Sequence, residues 1–222
     1  MLVPPGDFDG YLFDCDGTLA DSMPLHFEAW TEYLERAASA PSRFTEEMFY
    51  GWGGRPEAEI FAALNRDHGY AVDPARGVRE KALLYRGLLP RVRPVTAVAD
   101  LVRRLGAAGA KMAVGSGSVR AVVEETLVHL GLRDYFPVIV AAGEVPRGKP
   151  APDVFLRAAE ALGVAPGRCV VFEDAPPGFQ AAEAAGMRWV DVRPFYDRGA
   201  PQSAGAAPSL TRTRGPGPFG AS

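Results

Sequence analysis

The chain has 222 residues, 47% of them hydrophobic and 23% charged, which is enough apolar material for one large domain carrying a smaller insertion. A formal net charge of -3, with basic residues scattered and not striped, gives no electrostatic reason to expect nucleic acid or an anionic membrane as partner. No apolar run reaches the roughly eighteen residues of a membrane span, and the opening MLVPPGDFDG lacks the basic start and apolar core of a secretory signal, so a cytoplasmic monomer is expected.

In chain order, Tyr11–Asp14 reads as a short buried strand that gives way to a glycine turn in FDCDGT. A helical stretch without a convincing strand follows, with helices expected over Pro24–Ala38, Thr45–Tyr50, Pro56–His68 and Pro74–Leu88. Pro24 stands at its entry and Pro90 and Pro94 at its exit, where prolines stiffen a hinge. From Val95 onward amphipathic helices alternate with continuous apolar runs: strands at Lys111–Gly115, Val138–Ala141, Cys169–Glu173 and Trp189–Val192, helices at Thr96–Ala107, Val119–Leu130 (capped by Ser118), Pro152–Leu162 and Gly178–Ala185. The pattern predicts an α/β fold, a doubly wound and mainly parallel sheet formed by residues 1–22 and 91–196, with residues 23–90 as an inserted α-helical unit. Residues 197–222, dominated by Gly, Pro, Ala and Ser, are expected to be disordered. The two cysteines, Cys15 and Cys169, have no pairing framework around them and are expected as reduced, buried thiols.

Four segments fall at strand ends, and the carboxyl ends of parallel strands gather at one edge of a sheet, where ligands bind. The first supplies Asp14 and Asp16; two residues apart in extended chain, they lie about 6 to 7 Å from one another on one side, with room for a phosphoryl group between them. One carboxylate can attack while the other handles the proton. Val114-Gly115-Ser116-Gly117-Ser118 offers a hydroxyl and a run of backbone N–H groups at a helix start, suited to a phosphate anion. Arg147-Gly148-Lys149-Pro150 offers a cation in a tight turn, and Phe172-Glu173-Asp174 puts adjacent carboxylates at the end of an apolar strand. Four carboxylates converging on one lysine repel one another unless some are protonated or a hard divalent cation is present, and magnesium is the economical choice. Asp7-Phe8-Asp9-Gly10 repeats the Asp-x-Asp-Gly pattern but lacks the preceding apolar strand.

From Tyr11 to Val192 the chain resembles the haloacid dehalogenase superfamily, in the branch whose helical cap follows the first strand; FDCDGTLADS, VGSGS, GKPAPDVF and VVFEDAPPGFQAAEAAGM match its four motifs. Within that branch it is most similar to small sugar-phosphate phosphatases, notably fructose-1-phosphate phosphatase-like proteins, and to the beta-phosphoglucomutase group. The resemblance implies a magnesium-dependent phosphatase acting on a small phosphorylated metabolite, with Asp14 as nucleophile forming an aspartyl-phosphate and Asp16 as acid and then base. It further implies that Ser116 and Lys149 hold the phosphoryl group, and that the metal is held by Asp14, the backbone carbonyl of Asp16 and Asp174, with Glu173 adjoining. Gly17, Thr18 and Gly117 in the same motifs are expected to line the substrate site.

Specificity is expected from the cap. His26 on its first helix, Arg55 after a glycine-rich loop, and Arg120 just beyond Ser116 are the candidates for holding the substrate. Asp16 argues against carbon–halogen chemistry, which has no use for a proton donor there. The mutase group typically carries a threonine where this chain has Ala20, which favours hydrolysis over transfer back to a sugar; a phosphosugar mutase is the alternative.

Overall fold

The computed structural model describes residues 3–196 except residues 5 and 54, so the expectation of a disordered tail over 197–222 lies outside the described residues. Five parallel strands form the main sheet: β1 (Gly10–Phe13), β4 (Lys111–Gly115), β5 (Val138–Val140), β6 (Cys169–Glu173) and β7 (Arg188–Asp191), in the order β5-β4-β1-β6-β7. The chain runs outward from β1 to β5, then crosses back to β6 and β7, so the carboxyl end of the central strand β1 lies at the point where the winding reverses. Crevices at such points are where ligands bind.

Both sheet faces are covered, which explains strands that read as unbroken apolar runs. Phe13, Met112, Val114, Val170 and Phe172 face α5 (Thr96–Ala107) and α6 (Arg120–His129). Leu12, Ala113 and Val171 face α7 (Asp153–Leu162) and α8 (Pro176–Ala184). The period of two is therefore present, but apolar residues occupy both of its phases. Cys15 and Cys169 are buried and free, as their surroundings suggest.

Between β1 and β4 lie α1 (Met23–Ala38), α2 (Glu46–Gly51), α3 (Glu57–His68) and α4 (Pro74–Leu88). They have an aromatic core of their own in which Trp30, Phe44, Phe49 and Phe61 are buried. Trp30 and Phe61 lie 4.3 Å apart between ring centroids. Truncating Phe61, which is fully buried, to alanine would cost about 3 to 5 kcal/mol. Helix starts follow local chemistry: Thr45 accepts from the Met48 N–H, Asp73 accepts from the Arg76 N–H, and Pro74 fills the first turn of α4.

Several expectations shift. The first strand ends at Phe13, one residue early, although the Asp14 N–H still bonds to the Phe172 carbonyl. Pro176 and Pro177 begin α8 two residues ahead of Gly178, because a helix's first turn needs no N–H donors. Ser118 does not cap α6; Val119 holds that position and the Ser118 hydroxyl is used elsewhere. Strand β7, expected to be fully buried, is half-buried along its length because it is an edge strand. Two short strands escaped the sequence pattern: β2 (Ala20–Asp21) and β3 (Arg93–Pro94) pair antiparallel where the four helices enter and leave. Two residues are too few to carry a periodicity. Among the described residues no helix is long and apolar enough to cross a membrane.

Candidate active site

The loop after β1 turns on a single carbonyl. Cys15 O accepts the N–H groups of Thr18, Leu19 and Ala20 at 3.4, 3.0 and 3.0 Å, and the Cys15 side chain points into the core. Asp14 and Asp16 on either side of it line one cavity of about 100 Å³, between the sheet edge and the helical insertion. The two carboxylates are held by different partners.

Asp14 Oδ1 accepts from Lys149 Nζ at 2.6 Å, and the same ammonium donates to Glu173 Oε1 at 2.8 Å. Glu173 Oε2 accepts the N–H groups of Asp174 and Ala175, both at 2.6 Å, so each of its oxygens is engaged within the protein. Glu173 is thus a brace for Lys149. It folds back over Gly178, where an added Cβ would meet Glu173 Oε1 at 1.8 Å. Asp174 is braced on the opposite side: Thr18 Oγ1 donates to its Oδ1 at 3.3 Å, and a Cβ on Gly17 (φ +80°) would meet Asp174 Oδ2 at 2.2 Å.

Asp14, Glu173 and Asp174 bring one oxygen each within 4.8 Å of one another. Burial, reinforced by neighbouring carboxylates, pushes the Asp14 carboxyl up to about 7 despite Lys149, and holds Asp174 well above its ordinary value. Three carboxyl groups against one ammonium ionise together only if a further cation joins them and otherwise hold protons, and the donors are all oxygen. A hard divalent cation fits that donor set.

Asp16 faces a separate set of donors. Its Oδ1 accepts from Ser22 Oγ at 2.8 Å and from His26 Nε2 at 2.9 Å, and its Oδ2 accepts from Ser118 Oγ at 2.6 Å. Burial raises this carboxyl, but His26 beside it and the three hydrogen bonds outweigh burial and hold it well below the usual carboxylate range. Behind His26, Lys81 Nζ lies 2.7 Å from Nδ1 and donates to Glu57 Oε1 at 2.6 Å. An ammonium has donors only, so Nδ1 is the acceptor and the ring proton sits on Nε2, directed at Asp16. Tyr85 stacks on the imidazole with centroids 3.8 Å apart.

Residues 8–186 match the haloacid dehalogenase-like hydrolase family. The chain belongs to that family. It is 43% identical over 187 residues to fructose-1-phosphate phosphatase YqaB of Escherichia coli (strain K12), an alignment covering 84% of this chain and 97% of that protein. It is 32% identical over 183 residues to the phosphorylated carbohydrates phosphatase of Thermotoga maritima, covering 81% of this chain and 82% of that one. Among solved structures, CbbY from Rhodobacter sphaeroides in complex with phosphate superposes with a TM-score of 0.75 at 28% identity, over 82% of this chain and 84% of that one.

In this haloacid dehalogenase-like hydrolase, Asp14, Asp16, Ser116, Gly117, Lys149, Glu173 and Asp174 meet at one cavity, as their motifs imply. His26 and Arg55 also reach it from the helical insertion. Three candidates do not line it. Gly17 and Thr18 support Asp174 from behind, and the Gly17 carbonyl accepts a hydrogen bond from the Tyr196 hydroxyl. Arg120 turns away to Glu144, Glu124 and the Ile139 carbonyl, because those acceptors lie within reach on the outer side of α6. Of the four carboxylates at that cavity, Asp14, Glu173 and Asp174 cluster within 4.8 Å, while the Asp16 side chain is directed to Ser22, His26 and Ser118.

Sequence reasoning passed over Ser22, Glu57, Lys81, Tyr85 and Ser118. One signal was available: the buried positions of α4 are Gly77, Lys81 and Tyr85, four apart, and a lysine on a helix's inward stripe needs a partner.

Proposed function

We propose that this chain is a magnesium-dependent phosphatase of small sugar phosphates that works through a covalent aspartyl-phosphate. One observation carries the reading: two carboxylates share a cavity, one held by a lysine beside an acidic cluster and the other held by a histidine and two serines. Groups so divided suit a nucleophile and a separate acid–base. The names of the relatives support the substrate class, since the proteins from Escherichia coli and Thermotoga maritima are named as phosphatases of fructose 1-phosphate and of phosphorylated carbohydrates.

In the first step an Asp14 oxygen attacks phosphorus while the bond from phosphorus to the sugar oxygen breaks, and Asp16, which is ionised while Ser22, His26 and Ser118 bond it and so first takes up a proton from solvent as substrate binds, gives that proton to the departing oxygen. In the second, Asp16 takes a proton from water, whose oxygen attacks phosphorus and breaks the bond to Asp14, releasing inorganic phosphate. Ser116 and Lys149 hold the phosphoryl oxygens through both steps. Asp14, Asp174 and the Asp16 carbonyl would hold the magnesium ion, which when bound offsets the repulsion between carboxylate and phosphate. Residues 23–90 act as a cap on the core of residues 1–22 and 91–196, excluding bulk water and setting the fit of the sugar through His26 and Arg55.

The test is inorganic phosphate release from a panel of sugar phosphates including fructose 1-phosphate, with magnesium and with a chelator. Release that needs the metal and disappears in Asp14→Asn is expected. A folded wild-type protein that releases phosphate from no substrate overturns the reading. Interconversion of hexose 1- and 6-phosphates primed by a bisphosphate would replace hydrolysis with the mutase alternative.

A further inference from the structure

Tyr85 sits behind the site without touching the cavity. It is fully buried, and its ring lies 7° from parallel with the imidazole of His26. Among the described residues its hydroxyl has no hydrogen-bond partner, and neither does that of Thr126, equally buried on α6. The hydroxyls of Thr126 and Ser22 face the phenol, and burial keeps the phenol far above the ordinary tyrosine value, so it retains a proton to donate. Ser22 and His26 are the two groups that bond Asp16 Oδ1, at 2.8 and 2.9 Å. Both therefore rest on the same tyrosine, one against its ring face and the other beside its hydroxyl.

The location adds a second element. Tyr85 belongs to the helical insertion through α4 yet packs in the apolar cluster of the sheet domain, and Thr126 faces it from that domain. Unpaired buried hydroxyls are costly, and two that face each other across a junction bond, directly or through one water, after a small shift of either helix.

We propose that Tyr85 is a positioning residue for the proton transfer at Asp16: its ring holds His26 and its hydroxyl, with Thr126, sets α4 against α6. Asp16 is then aimed at the departing oxygen only while the four-helix insertion is seated on the sheet domain. The inference rests on the phosphatase reading above, in which Asp16 protonates the leaving group.

A leaving-group comparison tests it. A sugar oxygen needs a proton to depart, whereas acetate leaves acetyl phosphate as a stable anion, so a misaimed acid slows only the first. The value of kcat/KM, which reports the steps up to cleavage of the substrate, is measured on fructose 1-phosphate and acetyl phosphate for wild type, Tyr85→Phe, Tyr85→Leu and Thr126→Val. With fructose 1-phosphate, Tyr85→Leu is expected to fall roughly 100-fold and the two hydroxyl deletions about 3- to 10-fold, with acetyl phosphate changing less than about twofold. Equal losses on both substrates, or none on the sugar phosphate in folded variants, overturn the proposal. Should Tyr85→Leu fail to fold, Tyr85→Phe and Thr126→Val decide it by the same split. Wild type inactive on both substrates would instead overturn the phosphatase reading beneath it.

Discussion

Lys81 Nζ lies 2.7 Å from His26 Nδ1, and the contact determines which ring nitrogen carries the proton. With Nδ1 accepting, Nε2 donates to Asp16; without Lys81 the ring is free to take the other tautomer and present a lone pair to a carboxylate. Lys81→Met is therefore expected to lower kcat/KM for a sugar phosphate roughly 100-fold. Glu57→Gln keeps an acceptor for Lys81, 2.6 Å away in the native chain, and is expected to stay within a few-fold of wild type. Steady-state kinetics on both variants check the pair, and equal losses would show that the ion pair, not the tautomer, is what matters.

The acidic cluster is expected to make stability depend on pH and, with the proposed magnesium site, on metal. Burial raises Asp14 from 3.8 to about 7 and Asp174 in the same direction, so in the metal-free protein these groups hold protons that the unfolded chain has lost. Their contribution is fully present below pH 3.8 and is lost as pH rises toward about 7. Asp16 is shifted the opposite way, and its contribution is lost only as pH falls below the ordinary carboxylate range. Chelated protein is thus expected to melt at a lower temperature at pH 7 than at pH 5, with Asp14→Asn flattening the difference. Magnesium should raise Tm more at pH 7, by about 2.7 kcal/mol of stability at a hundred times Kd. A chelated melting temperature that rises from pH 5 to pH 7 would contradict the account.

Much of this was legible in the chain because the sheet is buried on both faces. Continuous runs such as CVVFE admit few other placements, and the motifs follow the strands' carboxyl ends, directly or, for Lys149, through the loop that leads from β5 to α7, so the sheet and the meeting of Asp14, Ser116, Lys149 and Asp174 followed. What escaped depends on side-chain direction. Nothing in the spacing of Asp14 and Asp16 says that one carboxylate joins Lys149 while the other turns to Ser22, His26 and Ser118. Lys81 is 24 residues from Glu57 and 55 from His26, so their contacts exist only once α1, α3 and α4 have packed. Arg120 misled for the complementary reason: adjacency to the Ser116 loop ignored Glu144, 24 residues further on, which claims the guanidinium.

Gly178 is where backbone packing meets the candidate active site. A methyl group there would collide with Glu173 Oε1 at 1.8 Å, and Glu173 cannot retreat without releasing Lys149 Nζ at 2.8 Å and the N–H groups of Asp174 and Ala175. Gly178→Ala is expected to destabilise the fold by about 1 to 3 kcal/mol, the usual cost of overpacking, and to reduce kcat by more than tenfold as Lys149 loses its brace. Chemical denaturation and kinetics on one preparation measure the two effects. A variant of native stability and activity would mean that Glu173 has another rotamer open to it.

Two arginines that looked alike in sequence should behave differently. Arg55 is exposed at the cavity, and its guanidinium lies 5.7 Å from the Trp52 ring centroid, a cation–π contact that consumes none of its N–H donors. Arg120 spends its donors on Glu144, Glu124 and the Ile139 carbonyl at 2.7 Å. Arg55→Ala is expected to raise KM for a sugar phosphate about tenfold with kcat nearly unchanged, the signature of binding shared by ground and transition states. Arg120→Ala should leave both constants within about twofold and lower stability by roughly 1 kcal/mol, since its ion pairs are largely exposed and only the bond to Ile139 is partly buried. A rise in KM for Arg120→Ala that matches the rise for Arg55→Ala would mean that Glu144 releases its partner when substrate binds, which stopped-flow binding with the Glu144→Gln variant would detect.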